Sequence, residues 1–316
     1  MIPGGRQYVG GDVPMTGRTI RRRSIPPMTD DFTQKVPLGQ TGLSVSRLGI
    51  GSSFGVPASV IEEAVEQGVN YLYWGSLRRP AFGRAMRNLA RRHREEIILS
   101  VQSYSRMPGL IGPSVEVALR RAGLDYFDIL LLGMRNERPG QAYTDAFERL
   151  REQGKVRFLA LSTHNRPLLP SLFDEYREGK SAYAVFMLRY NAVHRGAERD
   201  AFPFVPADPR PGMIAYTATR WGHLLDPGKM PAGETPPSAS DCYRFVLNQP
   251  AVDLVLCGPS DRSQMQEALR ALERGPLPPD EVERMQRIGD YIYGRHKPKF
   301  KEAGDAKDVE AGVSAS

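Results

Sequence analysis

The chain has 316 residues, of which 41% are hydrophobic and 25% charged, so collagenous, fibrous and fully disordered proteins are excluded. No stretch approaches the roughly 18 to 20 consecutive apolar residues that cross a bilayer, and the basic, glycine-rich start lacks an apolar core, so we expect neither a membrane span nor a secretory signal. A net charge of +7 is compatible with binding to nucleic acid, to a membrane surface or to small anions such as nucleotide phosphates.

The two ends of the chain differ in composition from the rest. Residues 1–34 and 295–316 are rich in Gly, Pro, Ser, Ala or basic residues and have little hydrophobic periodicity. This composition predicts flexible tails. We therefore expect one folded domain at residues 35–294.

Short apolar runs alternate with amphipathic segments within this domain. Such alternation is typical of strand–helix units on a parallel sheet. The predicted strands are Arg47–Gly51, Val69–Tyr73, Ile97–Gln102, Tyr126–Leu132, Val156–Ser162, Ala184–Leu188, Gly212–Tyr216 and Val252–Cys257.

A helical pattern follows each predicted strand. Eight strand–helix units in about 230 residues fit the α/β class, as a closed (β/α)8 TIM barrel rather than an open doubly wound sheet. No Gly-x-Gly-x-x-Gly follows a strand, which argues against a Rossmann domain. The predicted helices are Pro57–Gln67, Ala81–His93, Pro113–Ala122, Gln141–Gln153, Leu168–Glu178, Gly196–Phe202, Ser238–Leu247 and Arg262–Leu272.

Further elements are predicted outside the eight units. An N-terminal β-hairpin precedes the first strand, between Lys35 and Arg47, and an additional C-terminal helix is predicted at Pro279–Tyr293. The proline- and glycine-rich segment Leu225–Ser238 is predicted to be a surface loop of the kind that covers a site.

The densest basic stretch runs from Arg78 to Arg94. Within it, Phe82, Ala85, Met86 and Leu89 recur at helical spacing, which predicts an amphipathic helix with a solvated basic face. No aromatic interleaving or nucleic-acid motif accompanies the basic residues. We therefore expect a small-molecule substrate as the partner, with no nucleic-acid or membrane partner; the oligomeric state stays open.

Cysteine usage indicates a reducing compartment. Cys242 and Cys257 are too few for a disulfide framework and lack metal-ligand spacing, so we expect a cytoplasmic protein in which both pack in the core. A metal site would have to be assembled from His164, His194 and Cys257 on different strands, so we expect none.

The active sites of such barrels lie where the strands end. The residues there are mainly aromatic, basic or hydroxylic, with no carboxylate pair and no nucleophile elbow, so a hydrolase is disfavoured. These residues are Ser52, Ser53, Tyr73, Trp74, Gln102, Tyr104, Gly133, Arg135, Ser162–Asn165, Arg189–Asn191, Tyr216–Arg220, Gly258, Ser260 and Arg262.

Several motifs, in order over residues 35–273, resemble those of the aldo-keto reductases. They are LGQTGLSVSRLGIG at Leu38–Gly51, GVNY at Gly68–Tyr71, GKVR at Gly154–Arg157 with Ser162, Tyr190–Asn191, and Gly258 followed by Gln264 and Glu267. The resemblance implies a barrel whose N-terminal hairpin closes the bottom. It also implies a nicotinamide cofactor, NADPH with NADH as the alternative, bound extended across the top.

The catalytic residues of that family do not carry over. Its aspartate, tyrosine, lysine and histidine correspond here to Tyr73, Arg78, Gln102 and Gly133. Hydride arrival places negative charge on a substrate oxygen, which then needs a proton donor and electrostatic stabilisation. The resemblance therefore implies either chemistry by other groups or none.

The residues that bind the cofactor in the family are better preserved. Tyr216 stands where the family stacks an aromatic ring on the nicotinamide, Ser162 and Thr163 stand at amide-binding positions, and Met187 replaces a glutamine. The adenosine-phosphate region matches Gly258, Ser260, Arg262, Gln264 and Glu267. Arg262 opens a predicted helix, whose N-terminus favours an anion.

Other polar side chains are candidates for replacement chemistry. Tyr73 is expected to point into the barrel mouth, where a nearby Arg78 would lower its pKa. His164 is expected to act as an acid or base, or else as a hydrogen-bonded structural residue. Further candidates at the strand ends are Tyr104, Arg189, Arg220 and Trp221.

Three functions remain open on the sequence. The first is an NAD(P)H-dependent oxidoreductase with a substituted site, which reduces a carbonyl or similar group through Tyr73 and Arg78. The second is a catalytically inactive barrel that binds a nucleotide or metabolite as a sensor or partner protein. The third is redox-neutral isomerisation or elimination with His164 as the base.

Overall fold

A computed structural model describes residues 31–295 of the chain. Eight parallel strands close into a barrel in the order β10-β3-β4-β5-β6-β7-β8-β9, and a two-stranded antiparallel hairpin, β1-β2, precedes it. The strands are β1 Val36–Pro37, β2 Ser44–Val45, β3 Leu48–Gly51, β4 Tyr71–Trp74, β5 Ile98–Ser103, β6 Phe127–Leu132, β7 Val156–Ser162, β8 Tyr183–Arg189, β9 Gly212–Tyr216 and β10 Leu254–Cys257.

A helix follows each barrel strand, and a further helix ends the described part. They are α1 Ala58–Glu66, α2 Pro80–His93, α3 Ile111–Ala122, α4 Gln141–Glu152, α5 Leu169–Arg177, α6 Ala197–Asp200, α7 Ala239–Leu247, α8 Arg262–Arg274 and α9 Pro279–Arg295. None of the helices between residues 31 and 295 has both the length and the apolar character that a membrane crossing requires.

The predicted barrel, hairpin and additional C-terminal helix are confirmed. Several strands begin one or two residues later than predicted. At the bottom of the barrel, Asn70 accepts a hydrogen bond from the Ser46 amide at 2.7 Å, directly before β4 starts at Tyr71. Asp253 accepts one from the Met213 amide at 2.8 Å, directly before β10 starts at Leu254.

The predicted tails lie almost wholly outside the described residues, which exclude 1–30 and 296–316. Phe32, before the expected domain start at residue 35, is completely buried, and the Arg47 guanidinium lies over its ring. Core packing therefore begins before the hairpin.

The segment Leu225–Ser238 is largely a loop, as predicted, but it contains a short 3-10 turn at Pro227–Lys229. Asp226 caps this turn by accepting from the Gly228 amide at 2.9 Å. An ion pair of 2.9 Å between Glu234 and Arg284 fastens the loop to α9.

The strands pack on both faces, which explains why they read as continuous apolar runs. One core layer lies between the sheet and the helices and includes Leu130 and Leu132 of β6. The other fills the barrel and includes Ile129 and Leu131 of the same strand. Alternate residues of β6 therefore serve opposite faces.

The hairpin closes the bottom of the barrel. Leu38 is fully buried in the interior layer, and a Cβ on Gly212 of β9 would lie 2.8 Å from its side chain. Gly39 has a φ of +52°, and a Cβ there would lie 2.3 Å from the Gly212 backbone nitrogen. The hairpin packs against the bottom, and among the described residues the barrel opens at the opposite end, here called the mouth.

The basic stretch forms the amphipathic helix α2, as predicted. Phe82, Ala85, Met86 and Leu89 are buried, whereas Arg84 is among the exposed arginines on the opposite face. Cys242 and Cys257 are both free and buried, which agrees with the expected packing role.

Two glycines of α9 provide a matched test of the packing. A Cβ on Gly289 would lie 1.9 Å from the Ala192 carbonyl oxygen, whereas Gly294 has nothing within 4 Å. We expect Gly289→Ala to lower the free energy of unfolding by about 1–3 kcal/mol, because the helix must shift off the barrel. Gly294→Ala is the control and should be neutral or stabilising, because alanine favours a helix. Urea unfolding of both variants checks this; equal stabilities would contradict the packing.

Candidate functional site

A cavity of about 340 Å³ opens at the mouth, within the size range of small-molecule sites. Its lining is mostly aromatic, hydroxylic or thioether in character. The lining residues are Gly51, Ser53, Phe54, Tyr73, Gln102, Tyr104, Met134, Ser162, His164, Met187, Tyr216, Thr217, Ala218, Thr219, Trp221, Tyr243, Leu256, Cys257 and Gly258.

The structure brings most of the predicted site residues to the mouth. The cavity is lined by Tyr73, Gln102, Ser162, His164, Met187, Tyr216 and Gly258. Thr163 is buried beside them, and its hydroxyl accepts a hydrogen bond from the Asn165 amide at 2.9 Å. Arg78 and Arg262 do not line the cavity.

Tyr73 is the next-to-last residue of β4, and only 9% of its surface is exposed. Burial raises the pKa of its hydroxyl well above the ordinary value, and the neighbouring Tyr104 hydroxyl raises it further. The expected lowering of this pKa by Arg78 is wrong: Arg78 is exposed in a turn, and its side chain is not among the groups that shift Tyr73. Tyr73 is therefore a protonated donor at neutral pH.

The Gln102 side chain occupies the space that a side chain at position 133 would need. A Cβ on Gly133 would lie 1.7 Å from Gln102 Nε2 and 2.4 Å from its Cδ. The absence of a side chain at 133 therefore leaves the space in which the Gln102 carboxamide lies. Burial raises the pKa of Tyr104, and hydrogen bonds with Tyr73 and with the Gln102 carboxamide act in the opposite direction.

His164 and Tyr216 form the other side of the cavity. The Tyr216 hydroxyl lies 3.4 Å from His164 Nε2, and the two rings meet edge to face with centroids 6.2 Å apart. Burial raises the pKa of Tyr216 to about 12, although the charge of Arg189 acts in the opposite direction. Tyr216 thus stays protonated at neutral pH.

A groove of about 720 Å³ adjoins the cavity. Five residues line both spaces: Phe54, Thr219, Trp221, Tyr243 and Gly258. The ring of Phe54 covers Gly258, where a Cβ would lie 2.7 Å from Phe54 Cδ2. Cavity and groove together offer an elongated, two-part site.

The groove contains three of the predicted cofactor residues, Ser260, Gln264 and Glu267. Arg262 lies elsewhere, because its guanidinium pairs with Glu63 of α1. The N-terminus of α8 is already capped by Asp261, whose carboxylate accepts from the Gln264 amide at 2.9 Å. In this structure Arg262 thus pairs with a carboxylate, and its expected anion-binding role stays a prediction.

A different arginine lines the groove. Arg270 lies two turns further along α8 and pairs with Glu267 at 2.9 Å. Sequence reasoning missed Arg270 because it considered only the residues that end strands and the positions that match the family's adenosine-phosphate region. The helical spacing of Ser263, Glu267 and Arg270, one face of α8, was the signal that could have found it.

Buried arginines lie behind the cavity. Arg166, Arg189 and Arg220 are each at most 2% exposed. Burial is the largest cause that lowers the pKa of His194 to about 2, and the charges of these three arginines lower it further. Arg220 Nε donates to His194 Nε2 at 3.3 Å. This bond requires a neutral imidazole, so His194 is a structural acceptor rather than an acid or base.

Backbone strain is concentrated in the mouth loops. The non-glycine residues with positive φ in the described chain are Met134 at 52°, Thr217 at 61°, Arg220 at 50° and Trp221 at 53°. Each such residue costs of order 1–3 kcal/mol unless surrounding structure holds it, and such strain clusters at functional sites. Three of the four line the cavity: Met134, Thr217 and Trp221.

The charge pattern of the cavity is distinctive. Among the described residues that line it, none is a lysine, arginine or carboxylate. No group of three His, Cys, Asp or Glu side chains between residues 31 and 295 is arranged to hold a metal ion. Polarity at the cavity wall therefore comes from hydroxyls, the Gln102 amide and the His164 imidazole.

No protein-family model matches the chain. Among curated proteins it is similar to an uncharacterized oxidoreductase, YqkF, of Bacillus subtilis, with 25% identity over 313 residues covering 84% of this chain and 99% of that protein. It is also similar to L-galactose dehydrogenase of Arabidopsis thaliana, with 23% identity over 279 residues covering 74% and 86%.

Solved structures share the fold. The holo form of the aldo-keto reductase AKR11C1 from Bacillus halodurans superposes with a TM-score of 0.67 at 22% identity, covering 84% of this chain and 99% of that one. Its apo form gives a TM-score of 0.65 at 21% identity, with the same coverage. The chain therefore has the fold of these aldo-keto reductase structures, and the curated proteins it resembles are named as an oxidoreductase and a dehydrogenase.

The neutral His194 makes stability depend on pH. The folded-state pKa of about 2 lies below the ordinary value near 6.5, so the unfolded chain takes up a proton below pH 6.5 that the folded chain does not. We expect this group to lower the free energy of unfolding by about 2 kcal/mol between pH 6.5 and 4.5.

Urea unfolding across this pH range checks the prediction. His194→Gln keeps an acceptor for Arg220 but cannot titrate, so its stability should fall less steeply than that of the wild type. His93→Gln, which removes a surface imidazole on α2, is the control and should keep the wild-type slope. Equal slopes for His194→Gln and wild type would count against the neutral buried imidazole.

Proposed function

We propose that the protein is an NAD(P)H-dependent oxidoreductase with a non-standard active site, which reduces a carbonyl or similar group of a small molecule. The observation that carries the proposal is the two-part site, in which a cavity rich in hydroxyls adjoins a long groove through five shared residues. A substrate and an extended dinucleotide would meet at this junction. The curated relatives named as an oxidoreductase and a dehydrogenase support the same reaction class.

The residues present fit a nicotinamide dinucleotide. Gly258 beneath the Phe54 ring leaves a cradle that a Cβ would fill, next to Tyr216 and Ser162 in the cavity. In the groove, Ser260, Gln264, Glu267 and Arg270 would hold the other half. The reduced nicotinamide, when bound, supplies the hydride, and NADPH is the proposed form, with NADH as the alternative.

The substituted site handles the substrate oxygen with neutral groups. In place of the superfamily's aspartate, tyrosine, lysine and histidine we assign Tyr73, Arg78, Gln102 and Gly133 by motif position. As hydride reaches the carbonyl carbon, the oxygen gains negative charge and takes a proton, giving an alcohol. The Tyr73 hydroxyl would donate that proton and the Gln102 amide would hydrogen-bond the oxygen, whereas exposed Arg78 has no part at this oxygen.

Two other functions remain as outcomes of the test. A cavity wall without a lysine or carboxylate among the described residues also fits a barrel that binds a nucleotide without turnover. His164, beside the Tyr216 hydroxyl, would be the base of a redox-neutral reaction.

The two free cysteines fit a cytoplasmic protein. The domain that carries the site is proposed to span residues 35–294, extended at its start by Phe32.

Tyr73→Phe tests the assigned donor. We expect wild type to bind NADPH at micromolar concentration, and Tyr73→Phe to lower turnover at least about tenfold with unchanged NADPH affinity, because only proton transfer is lost. The measurements are quenching of Trp221 fluorescence by NADPH and NADH, and NADPH oxidation with a panel of aldehydes and ketones. Tyr126→Phe, on the far side of the barrel, is the control. Binding of neither cofactor would remove the proposal, and binding without any turnover would favour the sensor.

Gly133→Ala tests the space that the Gln102 side chain occupies. The new methyl group would displace the Gln102 amide, whose Nε2 lies 1.7 Å from the position of that Cβ. We expect Gly133→Ala and Gln102→Ala each to lower turnover by about tenfold, on the scale of one lost hydrogen bond to a developing charge. The double variant should lose little more than either single one, because both changes remove the same group. Losses that multiply in the double variant would show that the two positions act separately.

A further inference from the structure

A second cleft, of about 490 Å³, lies on the outer side of the loop that follows β6. Met134 lines both this cleft and the mouth cavity, so the two spaces adjoin at that side chain. The cleft is unusually rich in arginine. Its lining residues are Arg106, Met134, Arg135, Asn136, Glu137, Arg138, Pro139, Gly140 and Tyr143.

Arg135 is a buried charge without a counter-charge. It is 4% exposed, and no carboxylate of residues 31–295 lies within ion-pair distance of its guanidinium. Its Nη1 donates to the Tyr143 hydroxyl at 3.3 Å, its Nη2 donates to the Ser105 carbonyl, and the group lies 4.4 Å from the Tyr143 ring centroid. Its buried Nε has no hydrogen-bond partner in the described chain. Buried charges are normally paired, so an anion is the missing partner.

Arg106 adds a second guanidinium to the same cleft. It is exposed, and its Nη2 donates to the Met134 carbonyl at 2.8 Å. It forms no ion pair with any described residue. Arg138 differs, because Glu175 already neutralises it. Glu137 also lines the cleft, so two unpaired cations face one carboxylate and the excess is positive.

The start of α4 adds to this field. Its N-cap, Gly140, offers no side-chain acceptor to the first helical amides. Such amides and the helix dipole favour an anion. The helix terminus supports the arginines here but does not by itself define the site.

We propose that this cleft binds an anionic group of the substrate, a carboxylate or phosphate, while the reactive carbonyl of the same molecule lies in the mouth cavity. The part of this proposal that places a reactive carbonyl in the mouth cavity rests on the proposed function. A cavity whose described wall carries no cation offers an anionic group nothing to pair with, whereas Arg106 and Arg135 lie on the other side of Met134. The substrate class is therefore a carbonyl compound that carries a remote acidic group.

Calorimetric binding and steady-state turnover are measured with succinic and adipic semialdehyde, and with butanal and hexanal as neutral compounds of matched length. Removing the charge of Arg135 risks the fold, so Arg106→Gln is the main variant: it keeps a donor for the Met134 carbonyl but loses the charge. Arg84→Gln, an exposed arginine on α2, is the matched control. Glu137→Gln removes the opposing carboxylate.

Wild type should prefer the semialdehydes over the alkanals. Arg106→Gln should lower that preference about tenfold, the scale of one charge-assisted hydrogen bond, and Glu137→Gln should raise it, whereas Arg84→Gln should leave it unchanged. No preference in wild type, or an equal effect of Arg106→Gln on both compound classes, overturns the anion cleft. If the semialdehydes bind better than the alkanals but neither is turned over, the anion-binding cleft is supported and the proposed reductase function is contradicted. If both are turned over without a preference for the semialdehydes, the reductase function is supported and the anion-binding cleft is contradicted.

Discussion

The pairing of β10 with β3 is the constraint on which the rest of the structure depends. Leu256 pairs with Gly49 and Cys257 with Ile50, so the sheet closes on itself and has no unpaired edge. Gly49 lies at this seam in a tight space, since a Cβ there would lie 3.0–3.1 Å from interior side chains. Once the ring is closed and the hairpin plugs its bottom, all eight strands end around one opening.

Everything chemical in the proposed site follows from that convergence. Residues from different strands, such as Tyr73 and Tyr216, reach one cavity although 143 positions separate them in the numbering (216 minus 73). Burial keeps both phenols protonated, and the cavity wall itself carries no formal charge among its described residues. Charge lies instead in a layer behind the wall, where Arg189 and Arg220 face the neutral His194. Neutral hydrogen-bonding groups thus line the cavity, whereas the charged arginines lie behind them and shift the pKa of the buried His194.

The predicted site residues that line the mouth cavity all lie within two residues of a strand end. Strand ends are readable because apolar runs have sharp limits and alternate residues point inward. Arg78 and Arg262 were assigned by motif position. Arg78 lies in an exposed turn and Arg262 is the first residue of α8, so the position of neither side chain is fixed by a strand. Arg262 pairs with Glu63, a residue from the first helix, and that choice has no local signal in the sequence.

By itself the sequence determined the barrel, the order and number of its units, the hairpin, and the aromatic and hydroxylic character of the mouth, because periodicity and strand limits are local properties of the chain. Only the tertiary structure decided that the Gln102 amide occupies the space at Gly133, and that Arg106 and Arg135 line one cleft. These relations depend on rotamers and on distances between segments far apart in sequence. Such distances are set by closure of the barrel and packing of its loops, not by any one segment.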